Sequence, residues 1–160
     1  MRVGFGFDVH AFDAAGSTRP LVLGGVVFPG EVPLVGHSDA DAVAHAVADA
    51  LLGAADLGDI GGLFADDDPR WKGADSIVLL ADVARRVTDA GYRIGNVDCT
   101  VVAQKPRIAP RRDEMRARLS EAVGAPVSVK ATTSEGLGAI GRVEGLACWA
   151  IAAITTEEIG

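Results

Sequence analysis

Apolar positions change their period several times along the chain, and each change predicts an element. Residues 2–13 read as a strand. The apolar run at 21–29 reads as a short hairpin turning at Gly24 and Gly25. At 38–54 the spacing becomes helical, with Val47, Leu51 and Leu52 forming the stripe and Ser38 and Asp39 as the capping residues. The stretch 57–73 is rich in Gly and Asp and too long for a mere connection, so it is a candidate functional loop. Asp75 or Ser76 caps a second helix that runs to about Ala90 and stops at Gly91. Alternation around Val97, Cys99 and Val101 predicts a strand over 93–104. Pro110 opens a third helix, carrying Met115 and Leu119 and ending near Val123. Further strands are expected at 127–133 and 146–154. The order predicts an α/β (α+β) sandwich: a single domain over 1–160 with a mixed sheet of four to five strands and helices on one face.

Composition narrows the function. Apolar residues make up 49% of the chain and mean hydropathy is +0.26. That is high for a monomer of this length, so a homo-oligomer is expected. A net charge of −7 argues against nucleic acid as a partner. It leaves an anionic small substrate open, because metals and a few placed cations set the local field. Cys99 and Cys148 lie inside apolar runs with no CxxC spacing, and read as buried reduced thiols. Met1 leads directly into RVGFGFDVH, without an apolar signal core, and no segment approaches the roughly 20 apolar residues of a membrane span. A cytoplasmic location with no membrane partner is expected.

Four constellations carry the candidate chemistry. Asp8 and His10 are two apart on a strand and therefore share a face, a fragment common in zinc, manganese and iron sites. Taken alone, an exposed polar pair at a strand end is the favoured reading. In GHSDADAVAHAVADALLG, Asp41, His45 and Asp49 recur at a spacing of four along one helical face. By itself that helix reads as acids facing water around a buried histidine. Paired with the first motif, His45 becomes the third ligand of an open three-ligand site, the arrangement of catalytic zinc. His10, His37 and His45 are the three histidines of the chain, and all fall in these two motifs. The third constellation, VSVKATTSEGLGAIGRVEG, brings Lys130, Thr132, Thr133, Ser134, Glu135 and Arg142 around a Gly-rich turn suited to a diphosphate, with Glu135 as a Mg²⁺ ligand. Its literal GxGxxG is not a dinucleotide fingerprint, because a strand is expected to follow and too little chain remains for a βαβ unit. The fourth is the acidic loop holding Asp56, Asp59, Asp66, Asp67 and Asp68. Most of these read as solvated, with one or two free to accept sugar hydroxyls.

Taken together, RVGFGFDVHAF, the long segment from GHSDADAVAHA to WKGADS, NVDCTVVAQKPRIAP and VKATTSEGLGAIGRVEG resemble the 2-C-methyl-D-erythritol 2,4-cyclodiphosphate synthases, over almost the whole chain. The resemblance implies a homotrimer with active sites between subunits. It also implies a reaction in which the 2-phosphate of 4-diphosphocytidyl-2-C-methyl-D-erythritol 2-phosphate attacks its own β-phosphorus and expels CMP. Asp8, His10 and His45 would hold Zn²⁺, and Glu135 a Mg²⁺ or Mn²⁺ bound with the diphosphate. His37 and Thr133 would stabilise the transition state. Val9 and Ser38 would lie beside the substrate, and Asp49 would be a supporting or substrate residue. Asp59, Ile60 and Gly61 would meet the ribose, and Phe64, Asp66 and Asp68 the methylerythritol. Ala103, Gln104, Lys105, Pro106, Arg107, Ile108 and Ala109 would cradle cytosine, opposite Lys130, Ala131 and Thr132.

One departure concerns the threefold axis, where the resemblance implies a cavity able to take an isoprenoid diphosphate with Arg142 at its phosphate end. Ala139 stands where an aromatic residue is usual. Strict alternation puts Trp149 and Ile151 on one face of the last strand. Trp149 would then fill the axis, leaving Arg142 to pair with Glu144, or else pack within its own subunit. Two rivals share the same residues: a zinc phosphodiesterase or pyrophosphatase using water as nucleophile, and a non-catalytic metal-binding trimer. The length leaves no room for a fused cytidylyltransferase domain, so a monofunctional chain is expected.

Overall fold

The computed structural model describes residues 1–13, 16–65 and 67–156. Four strands make the main sheet in the order β1-β6-β4-β5: β1 is Arg2–Ala11, β4 Tyr92–Val102, β5 Val127–Thr132 and β6 Gly145–Thr156. β4 and β5 run parallel, and the other pairings are antiparallel. The hairpin, β2 (Leu21–Leu23) and β3 (Val26–Phe28), stands apart as its own two-stranded sheet. It turns on Gly24 and Gly25, both at positive φ, as a two-residue turn requires. The sheet is therefore mixed and four-stranded, the lower of the two strand numbers expected.

Helices α1 (Ala42–Ala55), α3 (Ser76–Asp89) and α4 (Arg112–Val123) cover one face of the sheet. Along β1, Gly4, Gly6, Asp8 and His10 point to the helices, while Val3, Phe5, Phe7 and Val9 point away and are exposed. The two glycines let α1 lie directly on the strand. A Cβ on Gly4 would stand 2.0 Å from the Ala50 carbonyl oxygen, and one on Gly6 2.0 Å from that of Ala46. On β6, Leu146, Cys148, Ala150, Ala152 and Ile154 face the core, whereas Trp149 and Ile151 face out. Cys99 and Cys148 are buried free thiols, as read from the sequence.

Three expectations need correction. The cap of α1 is Asp41, not Ser38 or Asp39: its carboxylate accepts from the Val43 and Ala44 N–H groups, and helical backbone begins only at Ala42. The stretch 57–73 is not loop throughout. It contains a helical turn, α2 (Ile60–Leu63), capped by Asp59, and a 3-10 turn at Pro69–Trp71 capped by Asp68. The Gly-rich turn winds into a further short helix, α5 (Gly138–Gly141), before β6 begins. A strand does follow it, so the rejection of a dinucleotide fold stands. Among the described residues, no helix is long and apolar enough to cross a membrane.

Candidate active site

Three ligand atoms converge where β1 meets α1. Strand alternation turns Asp8 and His10 toward the helix, and His45, one turn into α1, reaches down to them. Asp8 Oδ2 lies 3.1 Å from His10 Nδ1 and 3.1 Å from His45 Nδ1, and one ligand atom from each residue falls within a 4.8 Å group. His45 Nδ1 is aligned for a hydrogen bond with the carboxylate. His10 Nδ1 is not, and is left as a buried nitrogen with no hydrogen-bond partner. A buried polar atom without a partner is costly, and a divalent cation between these atoms would satisfy it. Burial pushes the Asp8 carboxyl up, but the His10 and His45 imidazoles beside it outweigh burial and hold it below its ordinary range. Burial likewise lowers His45, and the Asp8 carboxylate outweighs it, so its imidazole is pushed up. Both shifts have one meaning: the site favours positive charge at its centre. Carboxylate with two imidazoles is a donor set for zinc and its first-row neighbours.

The cleft around this point is lined by Gly36, His37, Ser38, Asp49, Ile60, Gly61, Phe64, Trp71 and Leu79. Asp49 accepts from Ile60 N–H at 2.8 Å and so pins the start of α2 against α1. Burial, with Asp59 and Asp8 nearby, raises its carboxyl above the usual range even though that hydrogen bond opposes the rise. His37 Nε2 is 2.9 Å from the Asp68 carbonyl oxygen. The Asp68 carboxylate itself is turned to Arg70 at 2.6 Å, and Asp59 is occupied by Gly62 N–H at 2.7 Å. Val9 points to the opposite face of the sheet from Asp8 and His10, so its side chain is outside the cleft. Asp66 lies outside the described residues.

A second hollow collects the other expected residues. Ala103, Gln104, Pro106, Arg107, Ile108 and Ala109 line it together with Ala131, Thr132 and Thr133, while Lys105 lines an adjoining hollow with Phe28, Pro29 and Pro110. Thr133 Oγ1 donates to Glu135 Oε1 at 3.1 Å and accepts from the Glu135 N–H, a local turn that holds Glu135 at positive φ. Lys130 extends from the outer face of β5 to Asp98. Arg142 is exposed and paired with Glu144 at 2.6 Å. Within one chain the two groups do not meet: β1 and β5 are opposite edges of the sheet, three strand spacings or roughly 14 Å apart.

Sequence reasoning passed over Trp71 and Leu79 as cleft residues. Leu79 reads from sequence as ordinary core of α3. Trp71 carried a usable signal, a large aromatic inside a Gly- and Asp-rich segment already marked as a functional candidate.

An α/β domain whose cleft opens on three convergent cation ligands has the architecture of a metal-dependent enzyme. Residues 1–155 match the YgbB family, and the chain belongs to that family. It is 53% identical, over all of its own length and 98% of the other's, to the 2-C-methyl-D-erythritol 2,4-cyclodiphosphate synthase of Moorella thermoacetica. It is 56% identical to the bifunctional enzyme IspD/IspF of an Anaeromyxobacter species over 94% of this chain, but spans only 39% of that protein's length. Among solved structures, the Plasmodium falciparum IspF in complex with CDP superposes with a TM-score of 0.84 at 32% identity, covering 98% of this chain and 97% of that one.

Proposed function

We propose that the chain converts 4-diphosphocytidyl-2-C-methyl-D-erythritol 2-phosphate to 2-C-methyl-D-erythritol 2,4-cyclodiphosphate and CMP, as a lyase of non-mevalonate isoprenoid precursor biosynthesis. The observation that carries this reading is the convergence of Asp8, His10 and His45 in a cleft of this family's fold. In the reaction, an oxygen of the 2-phosphate forms a bond to the β-phosphorus, the bond from that phosphorus to the bridging oxygen breaks, and CMP leaves with the electron pair. The nucleophile is an anion at neutral pH, so no strong general base is needed and positioning with charge neutralisation does the work. When bound, Zn²⁺ on Asp8, His10 and His45 supplies positive charge to the β-phosphate, and Mg²⁺ or Mn²⁺ on Glu135 does so for the α- and β-phosphates.

Other residues take their proposed roles from where they lie. His37 and Ser38, on the cleft wall beside the triad, face the methylerythritol phosphate, and Ile60, Gly61 and Phe64 close the wall that Asp49 pins. Asp59 and Asp68 act from the rim. The hollow formed by residues 103–109 and 131–133 takes cytosine, with Thr133 next to the diphosphate. Because these halves lie on opposite edges of one sheet, the complete site is shared between neighbouring copies.

A homotrimer supplies that arrangement and covers the outer sheet face, where Val3, Phe5, Phe7, Val9, Trp149 and Ile151 are exposed. Trp149 packs on Phe7 of its own chain, with ring centroids 5.1 Å apart, yet is still 37% exposed on that face. With Arg142 already paired to Glu144, three such aromatic pairs fill the axis and leave no isoprenoid diphosphate site there. Removing metal with a chelator should reduce CMP release to background. Zn²⁺ together with Mg²⁺ should restore it, and full CMP release from protein verified to be metal-free would contradict the proposal.

A further inference from the structure

His45 has a second side. Its Nε2, turned away from Asp8, lies 2.9 Å from Ser76 Oγ, and Ser76 Oγ donates a short hydrogen bond to Asp39 Oδ1. Ser76 is one of only two buried polar or charged residues among those described. It is also the first residue of α3, so this contact joins two helices through the imidazole. Asp39 is itself fixed: its other oxygen accepts from the Ser76 N–H at 3.0 Å, and Oδ1 accepts from the Asp41 N–H at 3.1 Å.

Proton counting then fixes one proton of His45. A serine hydroxyl has one hydrogen, and Asp39, as a carboxylate, can only accept it. Ser76 Oγ must therefore receive a hydrogen from its other neighbour, which places that proton of His45 on Nε2. Nδ1, which faces Asp8 and His10, is then the nitrogen left for a cation once the proton it shares with the Asp8 carboxylate is displaced. Ser38 Oγ is also near Nε2, at 3.3 Å, but it accepts from the Ala40 N–H and reaches no carboxylate.

We propose that Ser76 and Asp39 are positioning residues, a hydroxyl-to-carboxylate relay that orients His45 and fixes it as an Nδ1 metal ligand. This rests on the metal site proposed above, and extends it to two residues that touch neither metal nor substrate. Metal-bound histidines generally donate their second ring N–H to an oriented acceptor, and loss of that acceptor weakens metal binding by about 10- to 100-fold.

The test uses Zn²⁺ alone, with its dissociation constant measured by chelator competition on the full chain. Ser76→Ala should weaken Zn²⁺ binding by about 10- to 100-fold, and Asp39→Asn by less, because an amide oxygen still accepts the serine proton. Asp75→Ala serves as the structural control. Asp75 caps the same helix through Ile77 N–H at 2.9 Å and takes no part in the relay, so its loss should lower thermal stability without moving the Zn²⁺ constant. Nitrogen-15 NMR of the Zn²⁺-loaded wild type should show His45 ligated through Nδ1 with its proton held on Nε2, and Ser76→Ala should lose that ordered Nε2–H signal. Folded Ser76→Ala that binds Zn²⁺ as tightly as wild type, or a His45 protonated on Nδ1 alone in the Zn²⁺-loaded wild type, would overturn the relay and leave the metal site standing. A wild-type chain that takes up no Zn²⁺ would overturn both.

Discussion

Among the described residues, the Asp41 carboxylate accepts from four separate backbone N–H groups. It is fully buried, and its donors are Gly24 N–H at 2.8 Å, Gly25 N–H at 2.7 Å, and the Val43 and Ala44 N–H groups, each at 3.1 Å. Burial, with Asp39 close by, pushes its carboxyl above the ordinary range, and the backbone donors counter that rise. One side chain thus starts α1 and ties the hairpin to it. Asp41→Ala leaves four backbone donors, three of them buried, without this acceptor, and should cost about 2–4 kcal/mol, read as a lower urea midpoint. The sequence could not select this residue. The segment Ser38-Asp39-Ala40-Asp41 offers three side chains able to cap, and only the hairpin turn, distant in sequence, decides among them. The metal ligands were more legible, because a period of two puts Asp8 and His10 on one face whatever the fold around them. The partners of His45 were not: Asp39 and Ser76 each read as a local helix cap, and a contact between residues 37 positions apart leaves no mark on local pattern.

At the scale of elements, the approach of α1 to β1 governs the site. His45 reaches Asp8 only because Gly4 and Gly6 present bare backbone to the alanines of the helix. Gly6→Ala would force the two apart, since the added methyl would stand 2.0 Å from the Ala46 carbonyl oxygen. The expected outcome is at least 1–3 kcal/mol of lost stability from overpacking, together with weaker Zn²⁺ binding in the protein that still folds. Unchanged melting and unchanged metal affinity would show that the helix does not rest on that glycine. Periodicity recovered every long helix and strand to within a few residues. It failed at the short turns α2 and α5, which have too few residues to set a period and are held by single contacts such as Asp49 to Ile60 N–H. The Gly- and Asp-rich stretch does reach the cleft, through Ile60, Gly61, Phe64 and Trp71. Two of its carboxylates also hold its turns: Asp59 caps α2 and Asp68 the 3-10 turn at Pro69–Trp71.

For the whole molecule, the proposed sharing of the site between copies would make assembly a condition of activity. Asp8→Ala removes the metal half and Lys130→Ala the cytidine half, so either homotrimer should be nearly inactive. After subunit exchange at equal amounts, roughly a quarter of the interfaces combine two intact halves, and activity should return to about that fraction of wild type. Mixed trimers as inactive as their parents, with exchange verified by mass, would place both halves in one chain. The reaction itself is tested most directly by its product. Phosphorus-31 NMR of the wild-type protein with 4-diphosphocytidyl-2-C-methyl-D-erythritol 2-phosphate and both metals should show CMP and a cyclic diphosphate formed in equal amounts. CMP accompanied by a linear, ring-open phosphate, or no turnover by fully metallated protein, would contradict the account.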